Sequence, residues 1–229
     1  MCGRYTLSEA PEVLKLQFQF DTSLNIEPRY NIAPSQLAPV VIKNQSGREI
    51  SMFQWGLAAK GRPHGPLLNS LINARAESLL DRPSFKEAFL NRRCLVIADG
   101  FYEWKTEYKT NQPYRIHLKN NMPFAFAGIW ERSQTDNNGA PKPNKFAIVT
   151  TSAVYSISQI HNRMPVILNP DDYESWLNGN VNGLEIIKKS SLHNDLDLDF
   201  YKVPPEVGNI NNDSRELLKE YDPPQLALF

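Results

Sequence analysis

The chain has 229 residues, 41% of them hydrophobic, which is enough for one substantial core, and its 25 Lys and Arg are balanced by 25 Asp and Glu. Zero formal net charge excludes the bulk positive field of an abundant nonspecific DNA binder, so any nucleic-acid contact must come from a local, salt-sensitive patch. Cys2 and Cys94 are the only cysteines, which excludes a disulfide framework and a multi-cysteine zinc site; with no apolar run near the roughly 20 residues of a membrane span and no signal segment, a cytoplasmic protein is expected.

In chain order, residues 2–7 (CGRYTL) read as a strand. Over 8–20, apolar Val13, Leu14, Leu16 and Phe18 follow a capping Ser8 and a first-turn Pro11, which predicts a short helix. The stretch 28–36 (PRYNIAPSQ) is punctuated by proline and predicts irregular chain. The β-rich runs 37–43 and 50–57 predict a hairpin across NQSG, and 58–70 a loop. Ser84 and Glu87 form a capping-box pattern that starts a helix reaching about Asn91. From 94 onward the runs CLVIA, GFYEWK, YRIHLK, FAFAGIW and KFAIVTT predict strands, and 135–144 an exposed loop. A helix is expected over 171–177 after Asn169-Pro170, and Asp213 with Glu216 caps a last short one. The chain after about Asp195 is polar and is assigned no chemistry. Several strands per helix, without regular βαβ alternation, predict one α+β domain over 1–229, its core spanning about 2–205 and its tail 206–229. It is built on a largely antiparallel, barrel-like β-sheet with a few short flanking helices. Cys94, inside an apolar run, reads as a core thiol.

The opening MCGRYT carries unusual chemistry. Methionine aminopeptidases remove an initiator Met ahead of a small side chain, so Cys2 is expected to become the first residue. It then carries a thiol of pKa about 8.5 two bonds from an α-amine of pKa about 7.7–8.0. Such a 1,2-aminothiol can attack an aldehyde as an amine and then close a five-membered thiazolidine, which no internal cysteine can do. It can also serve as a thiolate that attacks an amide, with its own amine as base, or simply lie on a frayed terminus.

Three internal segments set reactive groups in apolar or turn contexts. In LINARAES (71–78), Asn73 and Arg75 follow apolar residues; Asn73 as a cap or turn and Arg75 as a surface charge is the plain alternative. In DGFYEWK, strand alternation puts Phe101, Glu103 and Lys105 on one face and Tyr102 and Trp104 on the other. A carboxylate framed by aromatics is desolvated and suited to proton transfer, while an exposed Glu on a half-solvated strand is the competing account. In HNRMPVIL, His161 precedes Arg163 and a Met-Pro turn; a lone histidine is otherwise a hydrogen-bonded structural residue.

Taken in order, MCGRYT, YNIAPSQ, FQWGL, NARAE, DGFYEWK and HNRMPVIL closely resemble the SRAP family, the SOS response-associated peptidase proteins, over roughly residues 2–205. The resemblance implies a DNA-damage-response sensor of abasic sites in single-stranded DNA that crosslinks itself to them through Cys2, shielding the strand. It implies that Asn73 holds the sugar-derived end and that Glu103 and His161 serve the acid-base steps. Arg4 and Arg75 match phosphate-contacting positions, and Trp55 the surface that stacks on or wedges against bases. It implies a monomer whose partner is abasic single-stranded DNA, with no metal, cofactor or membrane. The rival from another class is an amide hydrolase with an N-terminal cysteine, such as the class II glutamine amidotransferases. An autoproteolytic peptidase and a non-covalent binder of modified bases are further readings.

Overall fold

Runs that are apolar at every position become strands covered on both faces, and alternating runs become sheet walls with one wetter side. The structure is a computed structural model that describes residues 2–20, 22, 24–58, 70–107, 110–135, 138–179, 182–192 and 197–222. Among these, thirteen strands fall into two sheets: β1 (Arg4–Leu7), β2 (Arg29–Ile32), β3 (Leu37–Asn44), β4 (Gly47–Trp55), β5 (Asn73–Arg75), β6 (Arg93–Ala98), β7 (Gly100–Glu107), β8 (Thr110–Leu118), β9 (Phe124–Glu131), β10 (Lys145–Ser152), β11 (Arg163–Pro165), β12 (Ile167–Leu168) and β13 (Leu198–Lys202). The helices are α1 (Pro11–Phe18), α2 (Pro83–Asn91), α3 (Tyr155–Ser158), α4 (Tyr173–Asn178) and α5 (Gly183–Leu192).

The first sheet runs β13-β8-β7-β1-β2 and is antiparallel throughout. In the second, the pairs β10–β4, β4–β3, β3–β6, β6–β9 and β9–β10 close a ring of hydrogen-bonded strands. To it β5 and β11 add at β10, and β12 at β9. The pairings of β10 with β4 and β5 are parallel and the others antiparallel, so the largely antiparallel α+β expectation holds, with closure confined to one of the two sheets. A single apolar core joins them, from Tyr5, Phe101 and Ile116 to Val40, Phe126 and Ile148, and contains Cys94 as expected. Alternation along β7 is also as expected: Phe101 enters this core, while Tyr102 turns to a satellite cluster with Val203, Val207 and Leu217, against which Trp104 packs.

Several local expectations are corrected. Ser8 does not cap α1, whose N-cap is Ala10 without a side-chain bond; its hydroxyl and amide both donate to Asp99 instead. The 28–36 stretch contains β2 rather than being irregular throughout. Helix α2 begins at Pro83 and its N-cap, Arg82, makes no side-chain bond, because proline already supplies the helical φ and needs no partner for a missing N–H. Asp213 does not cap a helix; its carboxylate bonds Arg29 and accepts from the Tyr30 amide at 2.5 Å and the Asn31 amide at 3.0 Å. The chain after 195 is far from featureless. Residues 198–202 form β13 against β8, and 205–221 wrap back over β2 and β7. Helix α5 has no counterpart among the expected elements. Most of the 58–70 loop lies outside the described residues, as do parts of 135–144.

Candidate active site at the amino terminus

The position of Cys2 is set by the contacts that hold β1. Asp99, at the corner between β6 and β7, is 5% exposed and accepts from the Thr6 hydroxyl at 2.5 Å, the Ser8 hydroxyl at 2.9 Å and the Glu9 amide at 3.0 Å. A buried acceptor with that many donors ties the far end of β1 to the sheet. From there β1 runs antiparallel to β7 with Arg4 opposite Tyr102, so the residues ahead of Arg4 continue alongside Glu103. At the other side stands β5, whose parallel register with β10 pairs Asn73 with Ile148 and Arg75 with Thr150.

Between them Cys2 is buried, and the Asn73 side-chain amide donates to its carbonyl at 2.8 Å. Asn73 Oδ1 is itself buried and accepts no hydrogen bond among the described residues, which leaves one acceptor aimed at this site. Burial, and then the nearby Glu103 carboxylate, push the Cys2 thiol far above an ordinary cysteine. Glu103 is 3% exposed, and burial pushes its carboxyl up to about 7. A carboxyl at that value exchanges a proton readily at neutral pH.

His161 is brought in by the short β10–β11 connection, in which Ser152 lies opposite Arg163. His161 Nδ1 lies 3.0 Å from the Arg163 amide and 3.2 Å from the Arg163 carbonyl, so the Arg163 backbone fixes the orientation of the ring. Burial lowers the pKa of His161, against the upward pull of the hydrogen bond to the Arg163 backbone, and so favours the uncharged imidazole. Arg163 is in turn held by a two-pronged bond to Glu77, at 2.6 and 3.1 Å, and by the Thr150 carbonyl at 2.8 Å. The NARAE and HNRMP segments are thereby locked together, with Asn73 bonded to Cys2 and Glu103 near its thiol, although the three are distant in sequence.

The family model for the SOS response associated peptidase (SRAP) matches residues 1–210. The chain belongs to the SRAP family. It is 36% identical over 223 residues to the abasic site processing protein YoaM of Bacillus subtilis, covering 95% of this chain and 97% of that one. It is 29% identical to the abasic site processing protein YedK of Escherichia coli (96% and 99% covered), and 29% identical to HMCES of Mus musculus, bearing the same description (85% and 65%). A solved structure from Bacteroides thetaiotaomicron superposes with a TM-score of 0.82 at 23% identity over 96% of this chain and all of that one, a likeness of fold.

The SRAP residues expected to meet DNA are placed differently from one another. Trp55 has no surface to offer a base: it is fully buried, stacks on Phe146, packs edge-on to Tyr5 and donates its indole N–H to the Ile72 carbonyl at 2.9 Å. That bond anchors the residue before Asn73, so Trp55 positions β5 from behind. The adjoining Gly56 has φ +128°, and a Cβ there would meet that of Ser70 at 2.8 Å, so the FQWGL turn needs glycine. Arg4 is half-buried and donates to Asn31 Oδ1 at 2.9 Å and to the Val207 and Gly208 carbonyls at 2.6 and 3.0 Å, 6.0 Å from the Trp104 ring. Its partners are neutral, so its charge is not cancelled, although its donors are engaged within the fold. Arg75 is exposed and forms no ion pair among the described residues.

Sequence reasoning missed three residues that hold the site's elements in place: Asp99, Glu77 and Asn31. The Asp-Gly pair after an apolar run was the available signal for Asp99, and the paired charges of NARAE and HNRMP for Glu77. Nothing in sequence marked Tyr155, which opens α3 on the way from β10 to His161 and is 94% exposed. Among the described residues no group of three or more His, Cys, Asp and Glu could hold a metal ion, and no helix is long and apolar enough to cross a membrane.

Proposed function

We propose that this SRAP protein processes abasic sites, and that once Met1 is removed Cys2 joins itself covalently to the aldehyde of such a site in single-stranded DNA. The amine adds to the aldehyde and expels water to give an imine. The thiol then adds across the carbon–nitrogen double bond, its proton passing to nitrogen, so the product is the two partners less one water. Ring closure removes the imine that would otherwise promote β-elimination, and the strand is shielded. Abasic deoxyribose is mostly a closed hemiacetal, so its hydroxyl must lose a proton and its ring oxygen gain one before the aldehyde appears. A carboxyl near neutrality and an uncharged imidazole, Glu103 and His161, are suited to share that work.

The observation that carries this reading is the 2.8 Å bond from Asn73 to the Cys2 carbonyl beside a carboxyl raised to about 7. Held this way, the terminus would attack with effective molarities on the order of 10⁵ M or more. The same surroundings disfavour the amide-hydrolase reading. Burial and Glu103 hold the thiol protonated, where an amide hydrolase needs a thiolate, and this leaves the amine as first nucleophile. Exposed Arg75 and Tyr155, on the segments that adjoin Asn73 and His161, supply a phosphate partner and a stacking face, which read single-stranded character without sequence.

The test is intact-mass analysis of processed protein mixed with an oligonucleotide bearing one abasic site. A denaturation-resistant adduct at the summed mass less one water is expected, and it should vanish in Cys2→Ala. An adduct of unchanged mass and stability in that variant would overturn the ring assignment, and glutaminase activity without any adduct would favour the hydrolase.

A further inference from the structure

Asn31 lies on β2 and is fully buried, so both ends of its amide need partners. Nδ2 is directed at three carbonyls of the chain that follows β13, those of Val207, Asn209 and Asn212, at 3.2, 3.1 and 2.8 Å. Oδ1 accepts from Arg4 Nη1 at 2.9 Å. A flipped amide would set its oxygen against three carbonyl oxygens, so this orientation is fixed. The Asp213 carboxylate pins the same segment to β2 through the Tyr30 and Asn31 amides, at 2.5 and 3.0 Å. Residues 211–213 lie beyond the stretch that the family model matches. The guanidinium of Arg4 carries five N–H donors in a planar fork. Both donors of Nη1 are used, on Asn31 and on the Val207 carbonyl at 2.6 Å, and one of Nη2 goes to the Gly208 carbonyl at 3.0 Å. Nε and the second Nη2 donor bond nothing among the described residues. A full positive charge with donors left on both Nε and Nη2 matches two oxygens of a phosphate.

We infer that Asn31 is a positioning residue for the DNA strand: together with the 207–213 segment it aims Arg4, so that the two remaining donors take one backbone phosphate beside the lesion. The role rests on abasic single-stranded DNA being the substrate, as proposed above, and names what orders one of its contacts. Chain geometry sets the place. Arg4 is two residues from Cys2, whose thiol donates to the Arg4 carbonyl at 3.7 Å. An arginine free in solvent loses rotamer freedom when it meets a phosphate, whereas here that ordering is completed on folding. A preset contact of this kind matters in a chain whose net charge is zero and whose attraction for DNA must be local. The polar stretch after residue 195 thereby gains a part in DNA binding, through the carbonyls that it turns toward Asn31 and Arg4.

The experiment is a double-mutant cycle of Arg4→Ala, Asn31→Ser and the pair in the full-length protein. Fluorescence anisotropy measures binding to a labelled single strand that carries a tetrahydrofuran abasic analogue, which has no aldehyde and cannot crosslink. Arg4→Ala should weaken binding about tenfold, Asn31→Ser should reproduce most of that loss, and the double variant should be no weaker than Arg4→Ala. Replacing the phosphates beside the analogue one at a time by uncharged methylphosphonates should reveal one linkage that costs the wild type about tenfold and costs either single variant almost nothing. With a true abasic site at saturating concentration, the adduct rate of Asn31→Ser should stay within about twofold of wild type. Losses that add in the double variant, or full methylphosphonate sensitivity retained by Asn31→Ser, overturn the inference and leave Asn31 a structural residue. Should Asn31→Ser fail to fold, Asp213→Ala, at an exposed position on the same segment, decides by the same two criteria. An intact cycle with no adduct from the wild type would count against the covalent function alone.

Discussion

Glu103→Gln separates the chemical role of the buried carboxyl from its cost to the fold. Unfolded, the carboxyl ionises near its ordinary 4.5; folded, burial holds it protonated to about 7. Between those values unfolding releases a proton, so this group's contribution favours the folded state fully below the lower value and is lost as pH rises through the upper one. The difference corresponds to roughly 3 kcal/mol of stability missing above about pH 8. A glutamine at this position has no such proton, so the variant should gain on wild type by roughly that amount between pH 5 and pH 8.5, a relative rise in Tm of about 6–12 °C for a domain of this size. The assay is thermal unfolding of both proteins, equally processed at the amino terminus, across that pH range. Taking the difference between the two cancels titrations that they share. The variant should also slow adduct formation more than it weakens DNA binding. Parallel pH profiles would show that the carboxyl is not held near neutrality, and equal loss of rate and binding would make Glu103 a structural residue.

Asn73→Ala removes the donor to the Cys2 carbonyl and should slow adduct formation by about 100-fold, the effect of misplacing a reactive group by about 1 Å, while DNA affinity stays within a few-fold. Single-turnover rates against binding isotherms check this. Trp55→Phe keeps most of the buried volume and removes one of the two donors to the Ile72 carbonyl, which keeps the Ile148 amide at 3.0 Å; denaturant unfolding should show a loss of about 0.5–1.5 kcal/mol with single-strand affinity unchanged. A fall in affinity without a loss of stability would return Trp55 to the DNA surface. Tyr155→Ala should weaken binding of undamaged single strands by about 1–3 kcal/mol without altering the melting temperature. Arg75→Ala should lower the salt slope of the binding constant by about one.

Much of the strand content could be read from sequence because its signal is local. CLVIA and FAFAGIW are apolar at every position and become β6 and β9, and the β7 alternation correctly separated Glu103 from Tyr102 and Trp104. The motifs also carried the family, and they singled out Cys2, Asn73, Glu103 and His161 as candidates because side chains with this chemistry stand out in apolar and turn contexts. Caps were misread at Ser8 and Asp213 because short polar side chains bond whichever groups the fold brings near, and here those were Asp99 and the β2 amides. Trp55 illustrates the limit of a motif: its residue type suits a base or a core equally, and only the packing of Phe146, Tyr5 and the Ile72 carbonyl around it selected the core.

Composition and pattern alone determined an α+β chain with reactive groups at its start and in three internal segments. Tertiary structure alone decided that Asn73 and Glu103 come to Cys2, that β4 and β5 run parallel to β10, and that the polar stretch after 195 closes over Arg4 and Asn31. The physical reason is range. Periodicity and turn chemistry act over a few neighbours, whereas the hydrogen bond from Asn73 to Cys2 and the protonation of Glu103 depend on which distant strands exclude water from the same small volume.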